Sequence, residues 1–313
     1  MEEPQFEFII EFAQDIRTAI LPHVSQASAR DASRIAFSGD TTFEIDSVAE
    51  DALQRTIEQS HRNLAYFSED KGLVKFGPQP QWLLIVDPID GTRPLVCGLE
   101  TAVVSIALCS YSKIATFGTI LAGVVLEIKT GDWFYAERDK FVHSNHSTDS
   151  VVRLSANDDL ARMFWSFDTI GRPAQRVMHY LADLIDSSGM AAAAFLFNSS
   201  AYSLTRIVTG QLDAYIDVGA RILQDFPQSE AEFRQIGSDK IMGTFPYDLA
   251  GAYIILREAG GIITDAYGES LEEVFLIQQG KKAVLSCVAA SNRKLHASIL
   301  ATLPTQHSLN LQS

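Results

Sequence analysis

The sequence predicts a mixed α/β fold in which a strand-rich N-terminal half, residues 1–150, precedes an α/β C-terminal half, residues 151–313. Three observations support this prediction. Apolar residues recur at helical spacing in the first 60 residues, apolar runs of strand length follow, and strands alternate with helices after about residue 150. The chain has 313 residues, of which 47% are hydrophobic and 20% charged, so it is long enough for a substantial core.

In the N-terminal half, helices are predicted first and strands afterwards. Phe8, Phe12 and Ile16 belong to one apolar helix face in the first 30 residues, and a weaker helical pattern covers residues 45–57. Residues 82–86 form a continuous apolar run, which is typical of a strand buried on both faces. Further strands are predicted at residues 102–109, 117–128 and 133–136, the last two joined by a hairpin turn.

The C-terminal half is predicted to alternate between the two kinds of element. We expect its strands at residues 163–167, 191–197, 212–218, 262–264 and 283–290, with 191–197 in the core. We expect helices at residues 174–185, up to 208, 248–259 and 292–300. The polar residues 219–245 are predicted to be a long loop with one short helix.

Composition excludes several classes of function. A formal net charge of -14 repels duplex DNA, so no nucleic-acid partner is expected. The N-terminus lacks a signal-peptide pattern and the longest mostly apolar stretch is too short for a membrane span, which predicts a cytoplasmic protein without a membrane partner. Cys97, Cys109 and Cys287 are widely spaced in apolar runs and are predicted to be buried, reduced thiols.

The segment from Asp87 to Thr92, DPIDGT, carries the strongest chemical signal. Its two carboxylates leave the end of a buried strand three residues apart, and the carbonyl of Ile89 between them is a third oxygen. Mg²⁺ prefers such oxygen ligands, and divalent ions let an acidic protein bind a phosphate ester. Gly91 and Thr92 start a predicted helix whose free amides favour phosphate. On spacing alone, an aspartate-rich surface turn is the alternative.

Two further segments recur together with this turn. The chain has WLLIVDPIDGT at 82–92, PYDLAGAYIILREAGG at 246–261, and Glu69 in a loop before the first of these. In this combination the sequence resembles the inositol monophosphatase family over most of its length, including the closing segment CVAASNRKLHASIL at 287–300. The resemblance implies the layered α/β/α/β/α sandwich of the inositol monophosphatase and fructose-bisphosphatase type. It also implies a metal-bearing N-terminal half whose site is completed by Asp248.

The resemblance further implies the roles of individual residues. Two to three Mg²⁺ ions would be bound by Glu69, Asp87, Asp90, Asp248 and the carbonyl of Ile89. Thr92, Asp46 and Glu69 would be catalytic, with Asp46 hydrogen-bonded to Thr92, and Gly91, Thr92 and Ser199 would bind substrate. The implied reaction is in-line attack by a metal-bound water, inhibited by Li⁺, in a homodimer. A helix N-cap is the alternative role for Asp46.

Departures from the family pattern bear on the substrate. Ile241 stands seven residues before Asp248, where inositol-specific members carry a glutamate, so inositol monophosphate is not expected to be clearly preferred. Tyr247 replaces a tryptophan, and Asn198 replaces a glycine. The predicted function is hydrolysis of a small soluble phosphate ester, either inositol monophosphate-like or a sugar phosphate. The alternatives are a nucleotide 3'-phosphate (3'-phosphoadenosine 5'-phosphate) phosphatase and a non-catalytic regulatory or interaction protein with the same fold.

Overall fold

The computed structural model describes residues 6–24, 32–35, 41–145 and 152–304, with side chains omitted for 32–35 and for 41 and 42. The boundary predicted between residues 150 and 151, like both chain ends, lies outside these residues. Helices and sheets alternate in five layers, which confirms the layered α/β/α/β/α sandwich. None of the helices in the described part of the chain combines the length and apolarity that a membrane span requires.

The described helices and strands have the following bounds. The helices are α1 (Phe8–Ile20), α2 (Glu44–Ser60), α3 (Thr92–Val96), α4 (Ala174–Ser188), α5 (Ser200–Val208), α6 (Gly219–Asp225), α7 (Glu230–Ile236), α8 (Pro246–Glu258) and α9 (Arg293–Thr302). The strands are β1 (Ala32–Ile35), β2 (Thr41–Phe43), β3 (Leu64–Ser68), β4 (Gly72–Lys75), β5 (Trp82–Asp90), β6 (Val103–Ser110), β7 (Ile120–Glu127), β8 (Trp133–Glu137), β9 (His143–Ser144), β10 (Phe164–Phe167), β11 (Ala193–Phe195), β12 (Ala214–Asp217), β13 (Ile262–Thr264) and β14 (Cys287–Ala290).

A seven-stranded sheet in the order β4-β3-β5-β6-β7-β8-β9 forms the first β layer. Its third strand, β5, is parallel to β3 and antiparallel to β6. Leu84 and Val86 pack on one face of β5 against the apolar sides of α1 and α2, whereas Leu83 and Ile85 pack on the other face. Because both faces of β5 are covered, its apolar residues form the continuous run seen in the sequence.

Helices α5 and α8 lie between the two sheets. On one side they contact strands of the seven-stranded sheet, and on the other β12 and β13 of a five-stranded sheet with the order β11-β10-β12-β14-β13. The close approach of α8 to the first sheet depends on Gly251, because a Cβ there would lie 2.6 Å from Ser105 Oγ. Helices α4 and α9 contact the five-stranded sheet from outside and complete the five layers.

Four sequence-based predictions are corrected by the fold. The strand expected at 117–128 begins at Ile120, after a short 3-10 turn. The segment 191–197 contributes only the edge strand β11, with Phe195 36% and Leu196 50% exposed, so it is not a core strand. Residues 219–245 contain α6 and α7 rather than one short helix. The sequence did not predict both helices, because seven residues are too few to show a helical period. Cys97 is exposed, while Cys109 and Cys287 are buried.

Candidate active site

Strand β5 presents two aspartates at its carboxyl end through an irregularity in its pairing. In a regular strand, residues three apart lie on opposite faces. Asp87 pairs with Ser105 and Asp90 with Val103, so three steps along β5 match two along β6, as in a β-bulge. Pro88 lies in this irregular stretch, where its missing N–H is tolerated. The extra residue lets both carboxylates reach one site.

The third aspartate comes from the start of α8, about 160 residues later in the chain. Asp248 is the third residue of this helix, and its Oδ2 accepts a hydrogen bond from the backbone N–H of Phe245 at 2.6 Å. One carboxylate oxygen from each of Asp87, Asp90 and Asp248 lies within 4.8 Å of the others. Asp87 is 3% exposed and Asp90 is 7% exposed, so the cluster is held largely out of water.

The cluster is electrostatically strained without a cation. Burial raises the pKa of Asp90 to about 7, although hydrogen bonds from Ser199 Oγ and the N–H of Ala201 oppose the rise. Burial, and then the charge of Asp90, raise the pKa values of both Asp87 and Asp248 well above the ordinary value. Three converging oxygens that repel one another, with no nitrogen or sulfur donor among them, fit a hard divalent cation such as Mg²⁺.

Glu69 and Ile89 lie beside the three aspartates. Glu69 follows β3, the parallel neighbour of β5, at the same edge of the sheet. It lines the same pocket but is outside the 4.8 Å group, and its negative charge contributes to the raised pKa of Asp248. The N–H of Ile89 donates to Asp87 Oδ1 at 3.0 Å, and Ile89 also lines the pocket.

Asp46 and Thr92 are joined by a hydrogen bond. Thr92 Oγ1 donates to Asp46 Oδ1 at 2.8 Å and lies 3.1 Å from the carbonyl oxygen of Ile89. Asp46 is the third residue of α2 and not its N-cap, which is Phe43. Its other oxygen, Oδ2, accepts from the N–H of Phe43 at 2.7 Å. The side chain therefore stabilises the helix start and orients Thr92 with separate oxygen atoms.

Gly91 and Ser199 occupy different parts of the site. Gly91 lines the pocket at φ 95°, and a Cβ there would meet the carbonyl oxygen of Thr101 at 2.7 Å, so glycine is required. Ser199, predicted to bind substrate, is instead buried and donates to Asp90 Oδ2 at 2.8 Å. The neighbouring Asn198 and Ser200 line the pocket. Asn198 has φ 54°, a left-handed conformation that asparagine tolerates better than most residues.

The pocket encloses about 620 Å³ of space when its open mouth is included. The three aspartates line it together with Asp168, Arg172, Ser200 and Thr244. Sequence reasoning missed these four residues. A usable signal was present, because Asp168 directly follows β10 just as Glu69 follows β3, and polar residues at strand carboxyl ends gather at one edge of a sheet.

Ile241 belongs to the apolar core and does not line the pocket, so this side chain offers a substrate no hydrogen-bond acceptor. That inositol monophosphate is not clearly preferred stays a prediction. Helices α6 and α7 occupy the chain between β12 and α8. The carboxylate of Asp168 lines the pocket.

Glu50 is a second residue that the sequence did not single out. It is 1% exposed, and neither carboxylate oxygen has a hydrogen-bond partner within the described ranges. Burial raises its pKa to about 7. Glu50 lines a small cavity together with Asp46, Glu69 and Asp87. Its position one helical turn after Asp46 is the signal that could have pointed to it.

Known proteins resemble this chain over most of its length. A model of the inositol monophosphatase family matches residues 1–308. A fructose-1,6-bisphosphatase/inositol-1-monophosphatase from Methanothermobacter thermautotrophicus is 24% identical over 300 residues, covering 94% of each chain. A bifunctional NADP phosphatase/NAD kinase from Methanococcus maripaludis is 25% identical over 320 residues, covering 94% of this chain and 48% of the relative. The crystal structure of an extragenic suppressor protein, suhB, from Bartonella henselae superposes with a TM-score of 0.71 at 19% identity, covering 95% of this chain and 97% of the other.

The family model matches nearly the whole length of a chain that has the layered fold and the carboxylate cluster. We conclude that this chain belongs to the inositol monophosphatase family.

Proposed function

We propose that this protein is a Mg²⁺-dependent phosphomonoesterase that acts on a small soluble phosphate ester, either inositol monophosphate-like or a sugar phosphate. The observation that carries the proposal is the cluster of Asp87, Asp90 and Asp248, whose carboxylate oxygens converge where these residues line a pocket. Family membership and relatives named as phosphatases support the same class of reaction.

Five groups would hold two to three Mg²⁺ ions: the carboxylates of Glu69, Asp87, Asp90 and Asp248 and the carbonyl of Ile89. When bound, the ions would activate a water molecule and stabilise charge on the leaving oxygen. The hydroxyl of Ser199 and the N–H of Ala201 hold Asp90 in place by donating hydrogen bonds to its Oδ2. The backbone N–H of Phe245 fixes Asp248 in the same way.

Thr92 and Asp46 would orient the attacking water. The single hydroxyl proton of Thr92 is directed at Asp46 Oδ1, so Thr92 Oγ1 keeps a lone pair that can accept a hydrogen bond from water. The hydrogen bond to the Asp46 carboxyl group makes the threonine oxygen a better acceptor than a threonine alone would be. Glu69 is a second acceptor on the pocket wall. Gly91 and Thr92 would bind the phosphate group through their backbone amides.

The two alternatives from the sequence are less well supported. A regulatory protein would gain nothing from three converging aspartates that repel one another, a costly arrangement unless a cation is bound. A nucleotide 3'-phosphate substrate carries a second phosphate, and the guanidinium of Arg172, which lines the pocket, is already paired with Asp217. A homodimer and sensitivity to Li⁺ are proposed from the family resemblance.

The proposal is tested by phosphate release from a panel of phosphomonoesters with Mg²⁺ or with EDTA. We expect release only with Mg²⁺ and expect Asp87→Asn to abolish it. Asp186→Asn, at an exposed position on α4, is the matched control and should keep wild-type activity. Circular dichroism of each variant in EDTA separates loss of chemistry from loss of fold. Full activity in excess EDTA, or in Asp87→Asn, would refute the metal mechanism.

A further inference from the structure

The segment just before α8 is held by a buried triangle of side chains. Arg172 lies between β10 and α4, Asp217 at the end of β12, and Thr244 two residues before α8. Arg172 pairs with both oxygens of Asp217 and donates to Thr244 Oγ1 at 2.8 Å. Thr244 Oγ1 in turn donates its one proton to Asp217 Oδ2 at 2.6 Å. All three residues are buried, so water competes little for these hydrogen bonds.

The backbone around Thr244 is held as closely as its side chain. The N–H of Leu285, two residues before β14, donates to the carbonyl oxygen of Thr244 at 2.8 Å. Gly171 precedes Arg172, and a Cβ at this glycine would collide with the Cβ of Met242. The loop that carries Arg172 therefore lies directly against the segment that contains Thr244.

One peptide unit connects this triangle to the metal site. The carbonyl of Thr244 and the N–H of Phe245 belong to the same planar group and, in a trans peptide, point in opposite directions. Leu285 holds the carbonyl end, and the N–H donates to Asp248 Oδ2 at 2.6 Å. The orientation of this peptide plane therefore sets the direction from which the N–H meets the carboxylate of Asp248.

The side chain of Thr244 is not needed merely to start α8. The helix start uses the N–H of Phe245, which every residue except proline supplies at that position. The hydroxyl of Thr244 instead ties the preceding residue to Arg172 and Asp217, which belong to the five-stranded sheet and its connecting loop. Its effect on the metal site is to restrict rotation of the peptide plane that holds Asp248.

We propose that Thr244, held by Arg172 and Asp217, is a positioning residue for the metal site, which acts on Asp248 through the Thr244–Phe245 peptide and raises the affinity of the protein for Mg²⁺. The inference rests on the proposed function, because Asp248 is a Mg²⁺ ligand only under that proposal. Groups that orient metal ligands by hydrogen bonds change metal affinity about 10- to 100-fold when they are replaced.

The test measures the apparent Kd for Mg²⁺ by isothermal titration calorimetry at pH 8, without substrate. Thr244→Val has nearly the same shape but no hydroxyl, and it should raise this Kd about 10-fold because the peptide plane loses its side-chain anchor. Thr244→Ser restores the hydroxyl and should bind Mg²⁺ as the wild type does. A merely structural threonine would affect the free energy of unfolding without this difference in Mg²⁺ affinity between the two variants.

Thr205→Val is the matched control, because Thr205 is also buried and also accepts a hydrogen bond from an arginine. Its Oγ1 accepts from Arg206 at 3.3 Å and donates to the carbonyl of Tyr202 at 2.8 Å, and Thr205 does not line the pocket. The Kd of Thr205→Val for Mg²⁺ should equal that of the wild type.

Arg172→Lys is a second test of the triangle. It keeps a positive charge beside Asp217 but loses the guanidinium fork that reaches both Asp217 and Thr244. Its Kd for Mg²⁺ should rise in the same direction, and it decides the question if Thr244→Val does not fold.

Two results would overturn the positioning role and leave the proposed phosphatase function intact. One is a Thr244→Val protein that binds Mg²⁺ as tightly as the wild type, and the other is an equal loss of Mg²⁺ affinity in Thr244→Val and Thr244→Ser. A wild-type protein that does not bind Mg²⁺ would overturn the proposed function and the positioning role together.

Discussion

The metal-free protein is expected to become less stable as pH rises, and Asp90 is the group whose contribution can be worked out. Its pKa is about 7 in the folded chain against an ordinary value of 3.8. The folded state therefore binds the proton more tightly than the unfolded state. The contribution of protonated Asp90 is complete below about pH 3.8 and is lost as pH rises through 7. A difference of about 3 pH units at about 1.4 kcal/mol each corresponds to ~4 kcal/mol.

The measurable part of this loss lies between pH 5.5 and 8, above the isoelectric point of about 4.9. Between pH 5.5 and 7 the free energy of unfolding in EDTA should fall by ~2 kcal/mol on account of Asp90. Asp90→Asn removes this titration, and its amide oxygen, which has two lone pairs, can still accept both hydrogen bonds made to Asp90 Oδ2. The variant should therefore have the flatter pH profile.

The assay is urea unfolding followed by circular dichroism, with wild type and Asp90→Asn measured side by side in EDTA. Glu50, whose pKa is also about 7, titrates in both proteins, so its contribution largely cancels in the comparison. Mg²⁺ should stabilise the wild type more at pH 8 than at pH 5.5, because ions and protons compete for the same carboxylates. A free-energy difference between the two proteins that does not change with pH would refute this account of Asp90.

Three further predictions concern the pair of Thr92 and Asp46, inhibition by Li⁺, and the ion pair of Arg172 with Asp217. Thr92→Ala and Asp46→Asn should each lower turnover roughly 100-fold or more, and the double variant should be little worse than either single one; turnover losses that multiply would show that the two act independently. Li⁺ should inhibit phosphate release by occupying a Mg²⁺ position without supplying its charge, and phosphate assays that show equal release with and without Li⁺ would contradict this. Arg172→Met should lower the free energy of urea unfolding by ~3–5 kcal/mol, because it leaves buried Asp217 without its partner; a loss below ~1 kcal/mol would show that the ion pair is not needed for stability.

Local pattern was sufficient for most of the elements. The apolar run of β5 and the helix face of Phe8, Phe12 and Ile16 were predictable because strand and helix periods report which side chains are buried. The short helices α6 and α7 were missed because seven residues hold too few turns to show a period. The exposed edge strand β11 was mistaken for a core strand because an apolar composition does not say which strand lies at the border of a sheet.

The sequence by itself determined the family, the layered fold and the motif that contains Asp87 and Asp90, because these depend on residues close together in the chain and on a resemblance along its length. The tertiary structure alone decided which side chains meet. The irregular pairing of β5 brings Asp87 and Asp90 together, and α8 adds Asp248 from about 160 residues away. The same is true of Asp168, which becomes part of the pocket through the position of β10. Strand register and helix packing set such distances, and neither leaves a local signal in the sequence.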